Sequence, residues 1–140
     1  MKVFVIDNSQ YALESFSVID AEVTCYTDEV QAFYAVEQQQ PEFIFLNYAV
    51  RGEQTPGYIE GLLSVAASAS VVVIGNNTSE DAIFNCLLTG ARGYQDWQQL
   101  PRYLSKLIRV LAEGEAWFSR KMVARVLANL SQSSPQAVWV

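Results

Sequence analysis

Two uninterrupted apolar runs constrain what this chain can fold into. Phe43-Ile44-Phe45-Leu46 and Val71-Val72-Val73-Ile74 contain no polar residue, and the second run is entirely β-branched. A strand is apolar on both faces when both faces are buried, as in the middle of a parallel sheet that helices cover. The two runs therefore predict central strands of a layered α/β protein.

The segments around these runs alternate between strand and helix patterns. We predict further strands at Lys2–Ile6, Glu22–Cys25 and Tyr94, and a polar loop over Tyr48–Pro56. Helices are predicted at about 10–19, 29–38, 57–67, 80–89, 100–111 and 117–130, from apolar spacing and from capping residues. Five alternations imply parallel strands joined by right-handed crossovers, which is a doubly wound five-stranded α/β sandwich with an extra C-terminal helix.

Length and composition favour one reduced, cytoplasmic globular domain. The 140 residues suffice for a normal core, and Cys25 and Cys86 both lie in apolar segments, which predicts free buried thiols. The apolar stretches are too short to cross a membrane, and the N-terminus lacks the features of a signal peptide. We therefore expect no membrane association.

The charge is distributed unevenly along the chain. The net charge is −6, but residues 1–101 hold 13 acids and 3 bases whereas residues 102–140 hold 2 acids and 6 bases. The net charge argues against nucleic-acid binding by this chain itself. The basic C-terminal part is predicted to form a separate electrostatic surface.

The residues at the strand ends locate the candidate site. Asp7 follows the first strand, Asn47 ends the third, and Gly75 follows the fourth. The carboxyl ends of parallel strands are where ligands bind in open α/β sheets. The chain has no histidine and no thiol placed beside a base, so we expect neither an enzyme nor a metal site.

The order of these residues resembles the receiver domain of two-component response regulators. Besides Asp7 and Asn47, the chain has Gly-Ala-Arg-Gly-Tyr at residues 90–94 and Gly-Glu-Ala-Trp-Phe-Ser-Arg at residues 114–120, which are typical of the LuxR/NarL-type branch. The resemblance covers residues 2 to about 130. It implies the flavodoxin-like strand order 2-1-3-4-5, a receiver-like domain over 2–113, an additional linker or dimerisation helix over 114–130, and a tail over 131–140.

The same resemblance predicts a degenerate phosphorylation site. Receiver chemistry transfers a phosphoryl group to an aspartate and needs a second acid for Mg²⁺, a hydroxyl after strand four and a lysine after strand five. At those positions this chain has Asn47, Asn8, Gly75 and Trp97, so only Asp7 matches the pattern. An amide is not a usable nucleophile and brings no charge to a metal. We therefore expect signalling without phosphorylation and without Mg²⁺, and we expect Tyr94, which matches a switch aromatic of the family, to have only a packing role.

The motif Trp117-Phe118-Ser119-Arg120 suggests what could replace the phosphate. It is similar to a signature of biofilm-type LuxR regulators that bind cyclic di-GMP. An indole can stack on guanine and Arg120 can pair with a guanine edge or a phosphate, while Arg109, Lys121 and Arg125 would raise the local potential. The alternative is that Trp117 and Phe118 pack on the preceding helix and Ser119 caps the next one. Cyclic di-GMP is thus a possible ligand, and no other cofactor is expected.

The resemblance also suggests the partners. We expect a homodimer, and we expect contact with DNA only through a helix-turn-helix domain that this chain does not contain, as in a LuxR-type transcriptional regulator. One alternative is a constitutive protein-interaction module, because Phe84 and Leu88 widen the apolar stripe of their helix. The other is a conventional Mg²⁺-dependent phosphoacceptor receiver. The residues leave all of these open.

Overall fold

The fold is built around a five-stranded parallel sheet. The computed structural model describes residues 1–9 and 14–133, with the backbone alone for 132 and 133. The strands are β1 (Lys2–Ile6), β2 (Glu22–Tyr26), β3 (Phe43–Asn47), β4 (Ser70–Gly75) and β5 (Gly93–Asp96). Their order in the sheet is β2-β1-β3-β4-β5 and all pairs are parallel. The predicted doubly wound sheet and its order 2-1-3-4-5 are confirmed.

Six helices lie wholly within the described residues, and residues 14 and 15 are helical as well. They are α1 (Glu29–Gln39), α2 (Tyr48–Arg51), α3 (Thr55–Val65), α4 (Glu80–Leu88), α5 (Leu100–Ala112) and α6 (Arg120–Ser133). Short 3-10 segments occur at Phe16–Val18, Gly52–Gln54 and Trp97–Gln99. None of the described helices is both long enough and apolar enough to span a bilayer.

The two faces of the sheet bury alternate residues of each strand. On one face, Ile44, Leu46 and Val73 belong to a core that also includes residues of α1, α3 and α4. On the other face, Phe45 and Ile74 pack with Phe16 and with the apolar side of α5. Because β3 and β4 are buried at every position, their sequences show apolar runs rather than alternation.

The predicted loop over Tyr48–Pro56 is wrong. The chain forms α2 and a 3-10 turn there before α3 begins at Thr55. The side chain of Asn47 accepts a hydrogen bond from the backbone N–H of Ala49, which caps α2 directly at the end of β3. Pro56 stands in the first turn of α3, where a missing N–H costs nothing.

The boundaries at the two ends differ from the predicted ones. Part of the predicted helix over 10–19 falls on residues 10–13, which lie outside the described residues. Residues 14 and 15 are helical, as predicted, and residues 16–18 are a 3-10 turn. At the other end α6 begins at Arg120 rather than at 117 and extends to Ser133, beyond the predicted 130. No Gly or Pro stands between 120 and 133 to end it. Residues 134–140, most of the predicted tail, lie outside the described residues.

The thiols differ in burial. Cys25 and Cys86 are both free, as predicted, but only Cys86 is buried and Cys25 is half-buried. Cys25 lies on β2, which is an edge strand of the sheet and has its residues only partly covered. Burial raises the pKa of Cys86 to about 11, so this thiol is poorly reactive at neutral pH.

Candidate functional site at the carboxyl edge of the sheet

Asp7 and Asn47 form a buried pair at the ends of two neighbouring strands. The β1–β3 register places Ile6 beside Leu46, so the residues that follow also meet. Asn47 Nδ2 donates to Asp7 Oδ1 at 2.8 Å, and the two residues are 9% and 1% exposed. The amide therefore gives the buried carboxylate a hydrogen-bond donor, where a second carboxylate would repel it.

The other hydrogen-bonding groups of this pair are also used. The backbone N–H of Ser9 donates to Asp7 Oδ1 at 3.1 Å, and the Ser9 hydroxyl lies 3.0 Å from Asp7 Oδ2. The Ala49 N–H donates to Asn47 Oδ1 at 2.9 Å. No lysine or arginine pairs with Asp7 within the described residues. Asp7 and Asn47 thus hold two strand ends and the start of α2 together.

A hydroxyl occupies the space beside Gly75 although Gly75 has no side chain. A Cβ built on Gly75 would overlap Oγ1 of Thr78 and would come within 3.2 Å of the Tyr94 hydroxyl. The sequence pattern identified Gly75 as a position that lacks a hydroxyl, and it missed Thr78. The Asn-Asn-Thr-Ser run after β4 was the available signal, but which of these side chains turns back depends on the path of the loop.

Tyr94 packs against the core, as predicted, and its hydroxyl is also hydrogen-bonded. Its hydroxyl lies 2.9 Å from Thr78 Oγ1 and 2.8 Å from Asp96 Oδ1, and forms hydrogen bonds with both side chains. Burial raises the pKa of Tyr94 to about 12, so the phenol stays neutral at physiological pH. The sequence predicted no hydroxyl partner for Tyr94 because position 75 is glycine, but Thr78, three residues later, supplies one.

An open pocket of about 460 Å³ lies above these residues. Asn8, Asn47, Gly75 and Trp97 all line it, and Asp7 lies beneath it. The structure therefore brings together the five residues that the sequence assigned to one site. No three Asp, Glu or Cys side chains come together as a metal site anywhere in the described ranges.

The second predicted site begins with a residue that extends the sheet. Gly93 and Trp117 form an isolated parallel bridge, with hydrogen bonds from Trp117 N to Arg92 O at 2.8 Å and from Tyr94 N to Trp117 O at 3.0 Å. This pairing keeps residue 117 extended and explains why α6 begins three residues later than predicted. Ser119 then caps α6 by accepting from the Met122 N–H at 3.1 Å.

The indole of Trp117 is engaged within the chain. It is half-buried against the core beneath α5, its Nε1–H donates to Gln95 Oε1 at 3.1 Å, and its ring lies 6.1 Å from that of Tyr103. Phe118 and Ser119 line a pocket of about 250 Å³ that also contains Asp96. Arg120 is exposed at the start of α6. The sequence pattern missed Gln95, which is buried and fixes the indole.

Lys121 and Arg125, two of the basic residues predicted to attract an anionic ligand, form salt bridges with acidic residues of α4. Arg125 lies 2.8 Å from Asp81 and 3.6 Å from Glu80, and Lys121 lies 3.1 Å from Glu80. The guanidinium of Arg125 also sits 4.0 Å from the ring centroid of Phe84, which is buried. These contacts attach α6 to α4 and reduce the positive potential that the two bases offer a ligand.

An apolar stripe on α6 remains exposed. Val123, Leu127 and Leu130 are 43%, 60% and 56% exposed, and their spacing of four and three residues places them on one side of the helix. Leu88 on α4 is also exposed, at 47%. Met122 is buried, so α6 uses another side to pack on the domain.

Comparisons with known proteins identify the fold. The chain matches no protein-family model and no curated protein sequence. Among solved structures it is similar to the apo receiver domain of RcsB from Salmonella enterica serovar Typhimurium, with a TM-score of 0.78, 17% identity, and coverage of 91% of this chain and 98% of that one. A LuxR-family two-component response regulator from Aurantimonas sp. SI85-9A1 has a TM-score of 0.74 and 13% identity, over 91% of this chain and 96% of that one.

The chain has the receiver fold. A structure of Salmonella typhimurium RcsB, described in terms of DNA interaction, gives a TM-score of 0.76 at 16% identity and covers 89% of this chain and 68% of that one. Within the receiver fold, the pocket above Asp7 and Asn47 lies at the sheet edge where receivers are expected to carry their phosphorylation site. At these sequence identities the similarity shows the fold alone. The function of the pocket has to be argued from the chemistry of its own side chains.

Proposed function

We propose that this chain is a receiver-like signalling domain that works without phosphorylation, through association of α6 with a second copy of the chain. The observation that carries the first part is the hydrogen bond from Asn47 Nδ2 to Asp7 Oδ1. This bond joins Asn47, which stands at the expected phosphoacceptor position, to Asp7, which is the only acid of the expected site that this chain retains. An amide cannot accept a phosphoryl group as a carboxylate does, and one carboxylate is too little charge for Mg²⁺.

The test of phosphorylation is chemical. The full chain is incubated with acetyl phosphate and Mg²⁺, beside a receiver domain that retains its acceptor aspartate, and both are examined by intact-mass spectrometry. We expect the phosphoryl adduct on the control protein only. An adduct on this chain that maps to the residues of the pocket would contradict the proposal.

The exposed stripe on α6 supports dimerisation. Val123, Leu127 and Leu130 follow the four-and-three spacing of a two-helix seam, and helices with such a seam bury it against a second helix. A second copy supplies an identical stripe, so two α6 helices can pack symmetrically. Burying the exposed part of each leucine side chain contributes about 1–2 kcal/mol from the hydrophobic effect alone.

Sedimentation equilibrium of the full chain tests the dimer. We expect a concentration-dependent dimer that Leu127→Glu abolishes. Val30→Glu on α1 is a matched control, because Val30 is an equally exposed apolar residue (59%, against 60% for Leu127) on another helix, and it should leave the association unchanged. A parent protein that stays monomeric at all concentrations would exclude the dimer.

Cyclic di-GMP is the second candidate signal. Arg120 supports it, because this exposed residue directly follows Phe118 and Ser119, which line a pocket. The half-buried indole of Trp117 and its bond to Gln95 support the packing role instead. Titration calorimetry on the parent and on Arg120→Ala separates the two, because Arg120 has an exposed side chain whose loss leaves the fold intact. No heat from the parent protein would exclude the ligand.

A role in transcription is proposed by analogy with the similar solved structures. The Aurantimonas protein is described as a LuxR-family regulator, and the RcsB structure is described in terms of DNA interaction. The same arrangement here would make this domain the regulatory part of a DNA-binding protein. The sequence that follows residue 140 in the gene tests this proposal: a helix-turn-helix there would support it.

A further inference from the structure

A groove lined by aromatic side chains lies between α1 and α3. Two pockets of about 430 and 270 Å³ form it, and Phe33, Arg51 and Tyr58 line both. Gly57 lines the larger pocket, and a Cβ there would meet nothing within 4 Å. The groove is therefore open because α3 has no side chain at residue 57. None of the lining residues that the structure describes belongs to α6.

The walls of this groove are apolar and exposed. Val30 and Tyr34 stand one helical turn apart on α1 and are 59% and 63% exposed. The ring of Phe33 lies 6.4 Å from the ring of Tyr34 and 6.4 Å from the ring of Tyr58. A single exposed valine would need no explanation, but a valine and three aromatic rings around one groove form a contiguous apolar patch. Such a patch marks a surface that a second molecule covers.

Polar contacts between α1, α2 and α3 hold the groove in shape. The hydroxyl of Tyr58 donates to the backbone carbonyl of Glu29 at 2.6 Å, which joins α3 to the start of α1. The guanidinium of Arg51 lies 3.5 Å from the carboxylate of Glu29 and 5.7 Å from the centroid of the Tyr58 ring. Its other amino group donates to Gln54 Oε1 at 3.1 Å. The groove is thus formed by contacts within the chain and needs no ligand to create it.

The two helices that border the groove carry only negative charge. Together α1 and α3 contain three glutamates and no lysine or arginine. Glu37 follows Tyr34 by three residues and Glu60 follows Gly57 by three, so both glutamates flank the groove. Both are exposed, and neither forms a salt bridge with another residue that the structure describes. Because Arg51 is paired with the third glutamate, the rim keeps a net negative charge.

We propose that the groove between α1 and α3 binds a basic amphipathic helix of another protein. A groove between two helices accepts a helix whose apolar residues recur every three or four positions. Val30, Phe33, Tyr34 and Tyr58 would contact that apolar face, and the open space at Gly57 allows the backbone of the partner to approach α3 closely. Lysine or arginine beside the apolar face would meet the acidic rim, which selects a basic partner.

Two-dimensional NMR of the full chain, titrated with synthetic peptides, tests the proposal. The main probe is a helical peptide of about 18 residues with leucine on one face and lysine on the remaining positions. We expect saturable binding that shifts the amide signals of α1 and α3. The same peptide with glutamate in place of lysine should bind at least about tenfold more weakly. A scrambled peptide of the same composition has no apolar face and should not bind saturably.

Four outcomes of this titration would overturn the proposal. They are no saturable binding of the main probe, equal binding of the glutamate peptide, equal binding of the scrambled peptide, and shifts that spare α1 and α3. A lysine-flanked proline-rich peptide is added as a further probe. If it bound more tightly than the helical peptide, the partner would be an extended segment and the assignment to a helix would be wrong.

Variants then locate the binding surface. Gly57→Lys should weaken binding of the main probe at least about tenfold, because the new side chain fills the groove and repels lysine, while lysine favours a helix more than glycine does. Asn85→Lys is the matched control, because it adds the same charge at an exposed position of α4 outside the groove, and it should leave binding unchanged. Leu127→Glu should also leave it unchanged. Binding that survives Gly57→Lys but is lost in Leu127→Glu would place the peptide on α6 and overturn the proposal.

Discussion

At the scale of single residues, the chemistry of the sheet edge depends on which side chains supply protons for hydrogen bonds. Asn47 is a donor to Asp7 where a carboxylate would be a second acceptor. Thr78 contributes a hydroxyl from a loop, and Tyr94 connects that hydroxyl to Asp96. The result is a set of neutral donors around one buried acid. Replacing one of these neutral donors with a charged side chain should therefore lower the stability of the protein.

Asn47→Asp should destabilise the protein at neutral pH. The substitution keeps the shape of the side chain, but it replaces the 2.8 Å hydrogen bond with two buried carboxylates in contact. We expect a loss of about 3 kcal/mol in the free energy of unfolding. The loss should shrink as the pH falls from neutral, because one carboxyl group of the contacting pair then takes up a proton. Urea denaturation from pH 4 to 8 measures it.

The control for this substitution is Asn47→Ala, which removes the donor without adding charge. Its effect on the free energy of unfolding should vary much less with pH than that of Asn47→Asp. A loss in Asn47→Asp that stays constant between pH 4 and 8 would contradict repulsion between the two carboxylates.

Tyr94→Phe should change how stability depends on alkaline pH. Burial raises the pKa of Tyr94 to about 12, so the folded protein favours the neutral phenol. A tyrosine in the unfolded chain ionises near pH 10. Stability from this residue is therefore complete below about pH 10 and is lost as the pH rises toward 12. Tyr94→Phe should be less stable than the parent at pH 8, and the gap should narrow by pH 11; a constant gap would contradict this.

At the scale of elements, the link between β5 and α6 depends on one glycine. A Cβ on Gly93 would come within 3.0 Å of Trp117 Cβ and 3.3 Å of its carbonyl oxygen. Glycine therefore allows residue 117 to pair with the edge of β5, with Arg92 donating to the Glu115 carbonyl at 3.0 Å beside it. The close approach of Trp117 thus explains the second glycine of the Gly-Ala-Arg-Gly-Tyr motif.

Gly93→Ala should push the segment around Trp117 away from β5. We expect a loss of about 1–3 kcal/mol in the free energy of unfolding and faster hydrogen exchange at the amide of Tyr94, which donates to Trp117 O. Gly57→Ala on α3 is the control, because a Cβ there meets nothing within 4 Å. Its stability should be unchanged or raised by up to about 1 kcal/mol. Equal protection of Tyr94 in both variants would contradict the pairing.

The strands and helices also differ in how well local sequence predicts them. The runs at 43–46 and 71–74 predict β3 and β4 because burial on both faces leaves a pattern in the chain itself. Helix α2 has only four residues, which is too short for an apolar period to appear, so its cap at Asn47 was the only local signal for it. The start of α6 was placed three residues early because its delay comes from pairing with β5, a contact between distant residues.

At the scale of the whole molecule, the site is an alignment of four strand ends. The residues Asp7, Asn47, Gly75 and Trp97 could be predicted to meet, because a parallel sheet brings its carboxyl ends to one edge. Thr78 could not be predicted, because its position results from the turn after β4 and not from the strand. The sequence therefore predicts where the pocket lies, but the tertiary structure determines that the Thr78 hydroxyl occupies the space beside Gly75.

Rebuilding phosphorylation should require changes at all of these strand ends together. Asn47→Asp alone gives a nucleophile but lacks charge for Mg²⁺ and a cation for the phosphoryl group. Gly75→Ser would collide with Thr78 Oγ1, so it needs Thr78→Ala as well. We expect acetyl phosphate to label the variant that combines these three changes with Asn8→Asp and Trp97→Lys, and to leave Asn47→Asp unlabelled. Labelling of Asn47→Asp by itself would show that the pocket retains more of its phosphorylation machinery than its side chains indicate.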